Sequence, residues 1–223
     1  MNITAIDQKC VSSLERGTLS DYLSAAEHRR YKSIPESRRT DWLVGRISIK
    51  QSASDYLFHH NLSELEIENS PSGQPFIIGQ NKLFCSLGHS YSWGIGAVSS
   101  QPIGVDIEKV RTHKNDLLEY IADKKEIETL QDQFTDVPNL ITAIWTLKEA
   151  VLKGLGVGFE MPPKKLRIYS QRDGSYLIEV KRSSKVDEWK AFSYKVGNFF
   201  LSVASLNKSH ERPQISWYKP VSI

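Results

Sequence analysis

The chain has 223 residues, of which 39% are hydrophobic, 25% charged and 10% aromatic, enough for one large or two small globular domains with a real core. These proportions exclude disordered, collagen-like and coiled-coil classes, and a mean hydropathy of -0.39 without a long apolar run excludes a membrane-spanning helix. With Lys and Arg exceeding Asp and Glu by only three, bulk charge gives no support to a nucleic-acid partner.

The opening MNITAIDQKC lacks a basic stretch followed by an apolar one, so no secretory signal is expected. Cys10 and Cys85 cannot make a disulfide framework, and no CxxC suggests zinc. A reducing, cytoplasmic setting is the expectation. Charge is concentrated between His28 and Lys50, where Arg29, Arg30, Lys32, Arg38, Arg39, Arg46 and Lys50 face only Glu36 and Asp41. Ala25, Ala26, Tyr31, Trp42, Leu43, Ile47 and Ile49 recur there at helical spacing, and Pro35 divides the stretch into two helices. Two readings stand for the basic residues: a solvated helical face, or a patch turned toward phosphate. The later clusters Lys164, Lys165, Arg167 and Lys181, Arg182, Lys185 read as plain surface.

Gly73-Gln74-Pro75 is a turn, after which short apolar runs of period two begin: PFIIG, KLFCSLGHS, WGIGAVS and PIGVDIEKV. Helix returns from about Asp116 to Gln133 and from about Asn139 to Leu155, with Gly154 and Gly156 as stop signals. KLRIYS, YLIEVK, WKAFSYKV and FFLSVASL then read as strands. Both halves run from helices to antiparallel-looking strands, and WGIGAVSS and FFLSVASL look alike, as if each closed one half of a duplicated α+β unit.

Within PIGVDIEKV, Ile103, Val105 and Ile107 alternate with Gly104, Asp106 and Glu108. A strand places the apolar residues on the core face and both acids on the other. Two adjacent carboxylates repel unless a cation lies between them, and hard oxygen donors suit Mg²⁺ or Ca²⁺. A solvated pair of acids on an exposed strand fits the same pattern. In WTLKEAVLKGLGVGF, helical spacing stacks Trp145, Lys148 or Glu149, and Leu152 or Lys153 along one side. A surface Glu149–Lys153 ion pair would satisfy that spacing; a third carboxylate and a cation beside Asp106 and Glu108 would make a metal–phosphate site. The glycines of GLGVGF follow a helix rather than opening one, so they are no dinucleotide fingerprint.

GVDIEKV and WTLKEAVLK, about 40 residues apart, resemble the paired signature of the 4′-phosphopantetheinyl transferases. Gly73-Gln74-Pro75 is similar to that family's G-K-P turn, and Ser86-Leu87-Gly88-His89-Ser90 to its S-x-S-H-S strand. Length and these upstream elements resemble the surfactin-synthetase type, which implies an α+β fold, a pseudodimer of two similar α/β halves. The halves are expected at 1–110, with the basic helices, the coenzyme A strands and the first metal ligands, and at 111–223. The resemblance implies transfer of phosphopantetheine from coenzyme A to a serine of an acyl, peptidyl or aryl carrier protein, releasing adenosine 3′,5′-bisphosphate. It is the activity of a holo-[acyl-carrier-protein] synthase, dependent on Mg²⁺ with Mn²⁺ as a substitute, in a monomer that uses neither nucleic acid nor membrane. A catalytically weak coenzyme A-binding or carrier-docking protein of the same fold is the alternative.

Residue by residue, the resemblance makes Asp106, Glu108 and Glu149 the metal ligands and Lys153, with Lys148 beside it, a phosphate contact. Glu126 aligns with an acidic residue near the site, and either it or Glu149 would take the serine proton. His89 and Ser90 match the coenzyme-binding strand, Gly73 and Pro75 the turn, and Arg39 and Arg46 of RRTDWLVGR further phosphate contacts. Gly88, Gln74 and Ala122 depart from the residues many relatives carry, and His28 and Tyr31 stand where relatives have lysines, leaving Arg29, Arg30 or Lys32 as substitutes. Trp145 reads as core or pocket wall, Cys85 as a buried hydrophobe, His59-His60 as surface and His113 as loop.

Overall fold

The computed structural model describes residues 1–7, 9–10, 19–91, 93–112, 116–157, 160–182, 185–206 and 212–218. His113 and the Gly158-Phe159 end of the glycine-rich run lie outside the described residues. The chain is α+β and divides into two compact units, Met1–Ser100 with the described residues after Arg212, and Gln101–Arg212.

The first unit is a sheet of order β11-β1-β5-β4 carrying two helices. Its strands are β1 (Asn2–Asp7), β4 (Phe84–Ser90), β5 (Trp93–Ser99) and β11 (Ser216–Trp217), antiparallel except for the parallel pair β1 and β11. A small hairpin joins β2 (Ile67–Asn69) to β3 (Pro75–Ile77). Helix α1 (Ala25–Ser33) starts in a capping box, in which the Ser24 hydroxyl accepts the Glu27 amide and the Glu27 carboxylate accepts the Ser24 amide. Pro35 separates α1 from α2 (Glu36–Leu57), as its spacing predicts, with Ile34 held extended at ψ 137°. Leu43, Val44, Ile47, Ile49 and Ala53 of α2 enter the core with Ile6, Ile77, Cys85 and Val98.

The second unit is an antiparallel sheet of order β6-β10-β9-β8-β7 under one long helix. Its strands are β6 (Ile103–Lys109), β7 (Leu166–Ser170), β8 (Tyr176–Arg182), β9 (Lys185–Val196) and β10 (Phe199–Ser205). Its helices are α3 (Asp116–Ile121), α4 (Lys124–Leu130) and α5 (Val137–Leu155). Asp136 caps α5 by accepting the Asn139 amide at 2.9 Å, and Gly156, at φ 68°, ends it in the left-handed region. Leu140, Ile144, Leu147 and Val151 of α5 pack with Ile168, Ile178, Val180 and Trp189 of the sheet.

Four expectations change. The boundary falls after Ser100 rather than at 110, because β6 pairs along its whole length with β10 and lies under α5; Asp106 and Glu108 therefore belong to the second unit. The predicted helix 116–133 is broken, because Asp123 accepts the Glu126 amide at 2.9 Å and starts a new helix. Gly154 is no stop signal: it lies inside α5, where a Cβ would come 2.6 Å from the Trp189 ring. The short strands β1, β2 and β11 are additions that the patterning did not single out.

The contact of α5 with β6 is made at the level of backbone. A Cβ on Gly104 would fall inside the Ala150 carbonyl oxygen of α5, which backs onto the strand there. Gly104→Ala should therefore destabilise the protein by about 3 kcal/mol or more, read as a lowered urea midpoint or loss of soluble protein. A midpoint within experimental error of the parent would show that α5 can move away at little cost.

Candidate active site

Close approach of α5 to β6 takes the acids of β6 out of water. Gly104, Asp106 and Glu108 share one face of the strand, as alternation predicts, but α5 covers that face, so Asp106 is only 4% exposed while Glu108 at the strand end is half-buried. The two solvated acids of an exposed strand are thus excluded. Across the ladder Asp106 faces Ser202, whose hydroxyl shares a 2.8 Å hydrogen bond with Thr146 of α5.

Buried Asp106 needs positive charge, and α5 supplies it. Lys153 donates to Asp106 Oδ1 at 2.6 Å, with its own side chain 29% exposed. This replaces the helical Glu149–Lys153 pair that spacing alone would satisfy. Glu149 lies one turn earlier, is 7% exposed, and has Oε1 buried without a hydrogen-bond partner among the described residues. Burial, reinforced by the negative charges of Asp106 and Glu108 and opposed by Lys153, pushes its carboxyl up to about 7. A carboxyl desolvated beside two other acids favours its protonated form.

Among the described residues, no three His, Cys, Asp or Glu side chains are already gathered as a metal cluster. The residues nevertheless fit a hard divalent ion. The donors are all carboxylate oxygens, Glu149 carries an orphaned buried oxygen, and its neighbours' charges disfavour its ionised form when only Lys153 is present.

Lys148 and Glu126 lie elsewhere in the same unit. Lys148, 1% exposed, donates to Glu126 Oε2 at 2.8 Å and to the Ile121 carbonyl at 2.7 Å, and Glu126 Oε1 accepts the Ile168 amide at 2.7 Å. Both glutamate oxygens are engaged inside the unit. Trp145, half-buried against the core, lines a cavity of about 230 Å³ with Glu108, Arg111, Leu117 and Ile141.

In the first unit, the RRTDWLVGR segment is divided between tethering and open charge. Arg39 donates to the carbonyls of Ile34 and Lys32 at 3.1 and 3.2 Å, closing the end of α1. Arg46, 8% exposed, donates to the Ile67 carbonyl at 2.6 Å and stacks 4.8 Å above the Trp42 ring. Lys50 is wholly buried against Glu27, so part of the basic run is interior. Open charge remains on Arg30 and Arg38, which line a cavity of about 440 Å³ with His89, Ser33, Asp41 and Trp42. His89 is exposed on β4 and Ser90 next to it is buried. Gly73, at φ 84°, makes the turn into β3, with Pro75 as the first residue of that strand.

The sequence marks His89 and the Arg38–Arg46 stretch separately as phosphate contacts; the structure sets Arg38 and His89 in the lining of one cavity. Cys85 is buried, and burial pushes its thiol up to about 12; His59 is half-buried beside Glu64, 3.1 Å away.

Residues 102–204 match the family model described as the 4′-phosphopantetheinyl transferase superfamily. The matched segment spans 103 of the 223 residues, just under half of the chain. It contains Asp106, Glu108, Glu126, Lys148, Glu149 and Lys153. The resemblance read from the sequence is thereby borne out. The chain is also 27% identical over 174 residues to 4′-phosphopantetheinyl transferase ffp of Bacillus subtilis, covering 76% of each chain. To 4′-phosphopantetheinyl transferase Sfp of Bacillus subtilis strain 168 it is 27% identical over 156 residues, 68% of this chain and 67% of that one. A solved holo-(acyl-carrier-protein) synthase from Bacillus anthracis, in complex with CoA (3′,5′-ADP), aligns at 20% identity with a TM-score of 0.40, covering 44% of this chain and 90% of that chain.

The raised carboxyl of Glu149 gives the metal-free protein a pH dependence. Its contribution to stability is fully present below its ordinary value of 4.5 and is lost as pH rises through about 7. Glu149→Gln should therefore stabilise the EDTA-treated protein at pH 8, by on the order of 2 kcal/mol in urea melts, and change little at pH 4.5. A variant no more stable than the parent at pH 8 would mean that Glu149 ionises without cost.

Proposed function

We propose that the protein transfers phosphopantetheine from coenzyme A to a serine of an acyl or peptidyl carrier protein, with Asp106, Glu108 and Glu149 as the ligands of Mg²⁺ or Mn²⁺. The observation that carries this reading is Glu149: a buried carboxyl with an orphaned oxygen, pressed by two neighbouring acids, inside the segment that matches the superfamily. The relatives' names, phosphopantetheinyl transferase in each case, support the same reaction.

In this reaction the serine oxygen attacks the pyrophosphate phosphorus next to pantetheine. A new P–O bond forms, the bond to the bridging oxygen breaks, and adenosine 3′,5′-bisphosphate leaves with the displaced electron pair. The nucleophile belongs to the carrier, so the enzyme needs no Ser-His-Asp or Cys-His set. What it must supply is alignment, charge neutralisation and a proton acceptor. A bound divalent ion would neutralise charge on the pyrophosphate.

The chain's own residues account for the rest. Lys153, whose side chain is partly exposed, would be able to turn its ammonium from Asp106 to a phosphate oxygen once a cation satisfies that carboxylate. Glu149 can take the serine proton, directly or through water, whereas both oxygens of Glu126 are engaged. Arg30, Arg38 and His89 suit the 3′-phosphate of coenzyme A, while Arg39 and Arg46 are spent on backbone carbonyls.

Incubation of an apo carrier protein with the chain, coenzyme A and Mg²⁺ should add one phosphopantetheine by intact mass, and EDTA or Glu149→Gln should abolish the gain. No gain with carriers of several pathways, with coenzyme A still bound, would leave a binding protein of the same fold. Arg38→Ala or His89→Ala should raise the KM for coenzyme A about tenfold or more and leave that for 3′-dephospho-coenzyme A nearly unchanged. Equal effects on both substrates would remove the 3′-phosphate from this cavity.

A further inference from the structure

We propose that Glu126 and Lys148 are a positioning pair that sets α5 for the acidic cluster, and that neither takes the serine proton; this rests on the transferase reading above. The chain builds the same device twice, and only one copy has Glu149 and Lys153 on its helix.

In the second unit Glu126 is the third residue of α4, after the N-cap Asp123. Lys148 reaches it from the long helix and also donates to the carbonyl of Ile121, two residues before that cap. The other glutamate oxygen accepts the amide of Ile168 on β7. In the first unit Glu27 is the third residue of α1, after the N-cap Ser24. Lys50 reaches it from the long helix and donates to the carbonyl of Tyr22, two residues before that cap, at 2.8 Å. The other glutamate oxygen accepts the amide of Ile67 on β2 at 3.2 Å. The lysine follows the glutamate by 22 residues in one unit and 23 in the other.

The surroundings differ where chemistry would differ. The residue after Lys148 is Glu149, with Lys153 one turn on; the residue after Lys50 is Gln51, whose amide donates to Asp55 at 2.9 Å. The ion pair is thus present with and without Glu149 and Lys153 on its helix, as a scaffold would be and a proton acceptor would not. Its effect on the site follows from helix geometry. Adjacent residues of a helix are about 100° apart around its axis, so pinning Lys148 to Glu126 of α4 and to the Ile121 carbonyl of α3 fixes the rotation at which α5 presents Glu149 and Lys153 to Asp106.

Glu126→Gln tests this, because it keeps an oxygen for the Ile168 amide and removes the charge. Glu27→Gln is the matched control. Both variants should melt at lower temperature than the parent. Only Glu126→Gln should raise the half-saturating Mg²⁺ concentration, by about tenfold, with kcat at saturating Mg²⁺ within about tenfold of the parent and an unmoved pH profile. A loss of kcat beyond about a hundredfold that Mg²⁺ does not recover, with the acidic limb of the profile removed, would make Glu126 the proton acceptor and overturn the proposal. So would a half-saturation unchanged in Glu126→Gln, or raised equally in Glu27→Gln.

Lys148→Met leaves an uncompensated buried carboxylate, so the double variant Glu126→Gln/Lys148→Met should melt higher than Lys148→Met alone. The opposite order would show that the two side chains are not coupled. If the unaltered chain transfers nothing, the transferase reading itself fails. Mg²⁺ affinity of Glu126→Gln and Glu27→Gln by calorimetry then still decides whether the pair positions the acids.

Discussion

The second unit depends on α5 lying on β6 at backbone distance. Gly104 allows it from the strand, and Gly154, beneath the Trp189 ring, from the helix. The consequence is electrostatic. Asp106 sits under a helix instead of in water, and Glu149 meets it there, so two acids that would be unremarkable in water become mutually costly. Lys153 offsets part of that cost, and the remainder, on Glu149, is what a divalent ion would relieve.

Positive charge follows the same division between interior and open surface. Lys50 and Lys148 lie inside their units, each tied to a glutamate and to carbonyl groups. Arg39 and Arg46 hold backbone carbonyls and stack on Tyr31 and Trp42. Arg30 and Arg38, by contrast, line a cavity with His89. A basic run in sequence thus resolves into residues that build the first unit and residues left open at its surface. Net charge is a poor guide to which is which, because burial and carbonyl partners decide it.

Much of this is legible in the sequence. Alternation over PIGVDIEKV yields β6, helical spacing over WTLKEAVLK yields α5, and Pro35 divides the first helices as its lost amide requires. Alternation could not show that the acidic face of β6 is covered, since Gly104 reads equally as a turn residue or as room for a helix. The partner that makes Asp106 tolerable, Lys153, is 47 residues away, beyond any local pattern. Lys50 was hidden in a run of surface-like cations, although its flanks Ile47, Ile49 and Ala53 are core residues. Ser24 and Glu27, three apart, carry the capping-box signature that would have pointed to its partner. Asp123 and Glu126 repeat that spacing and mark the break that a continuous helix over 116–133 overlooked.

The central claim is that Glu149 is held largely protonated below neutrality until a divalent cation takes its place beside Asp106. Counting protons released on Mg²⁺ binding tests it most directly, by calorimetry in buffers of different ionisation enthalpy. With a carboxyl near 7, close to one proton should be released at pH 6 and almost none at pH 8.5, and Glu149→Gln should remove the difference. Mg²⁺ binding that releases no proton at pH 6, or releases the same number in Glu149→Gln, would contradict the account.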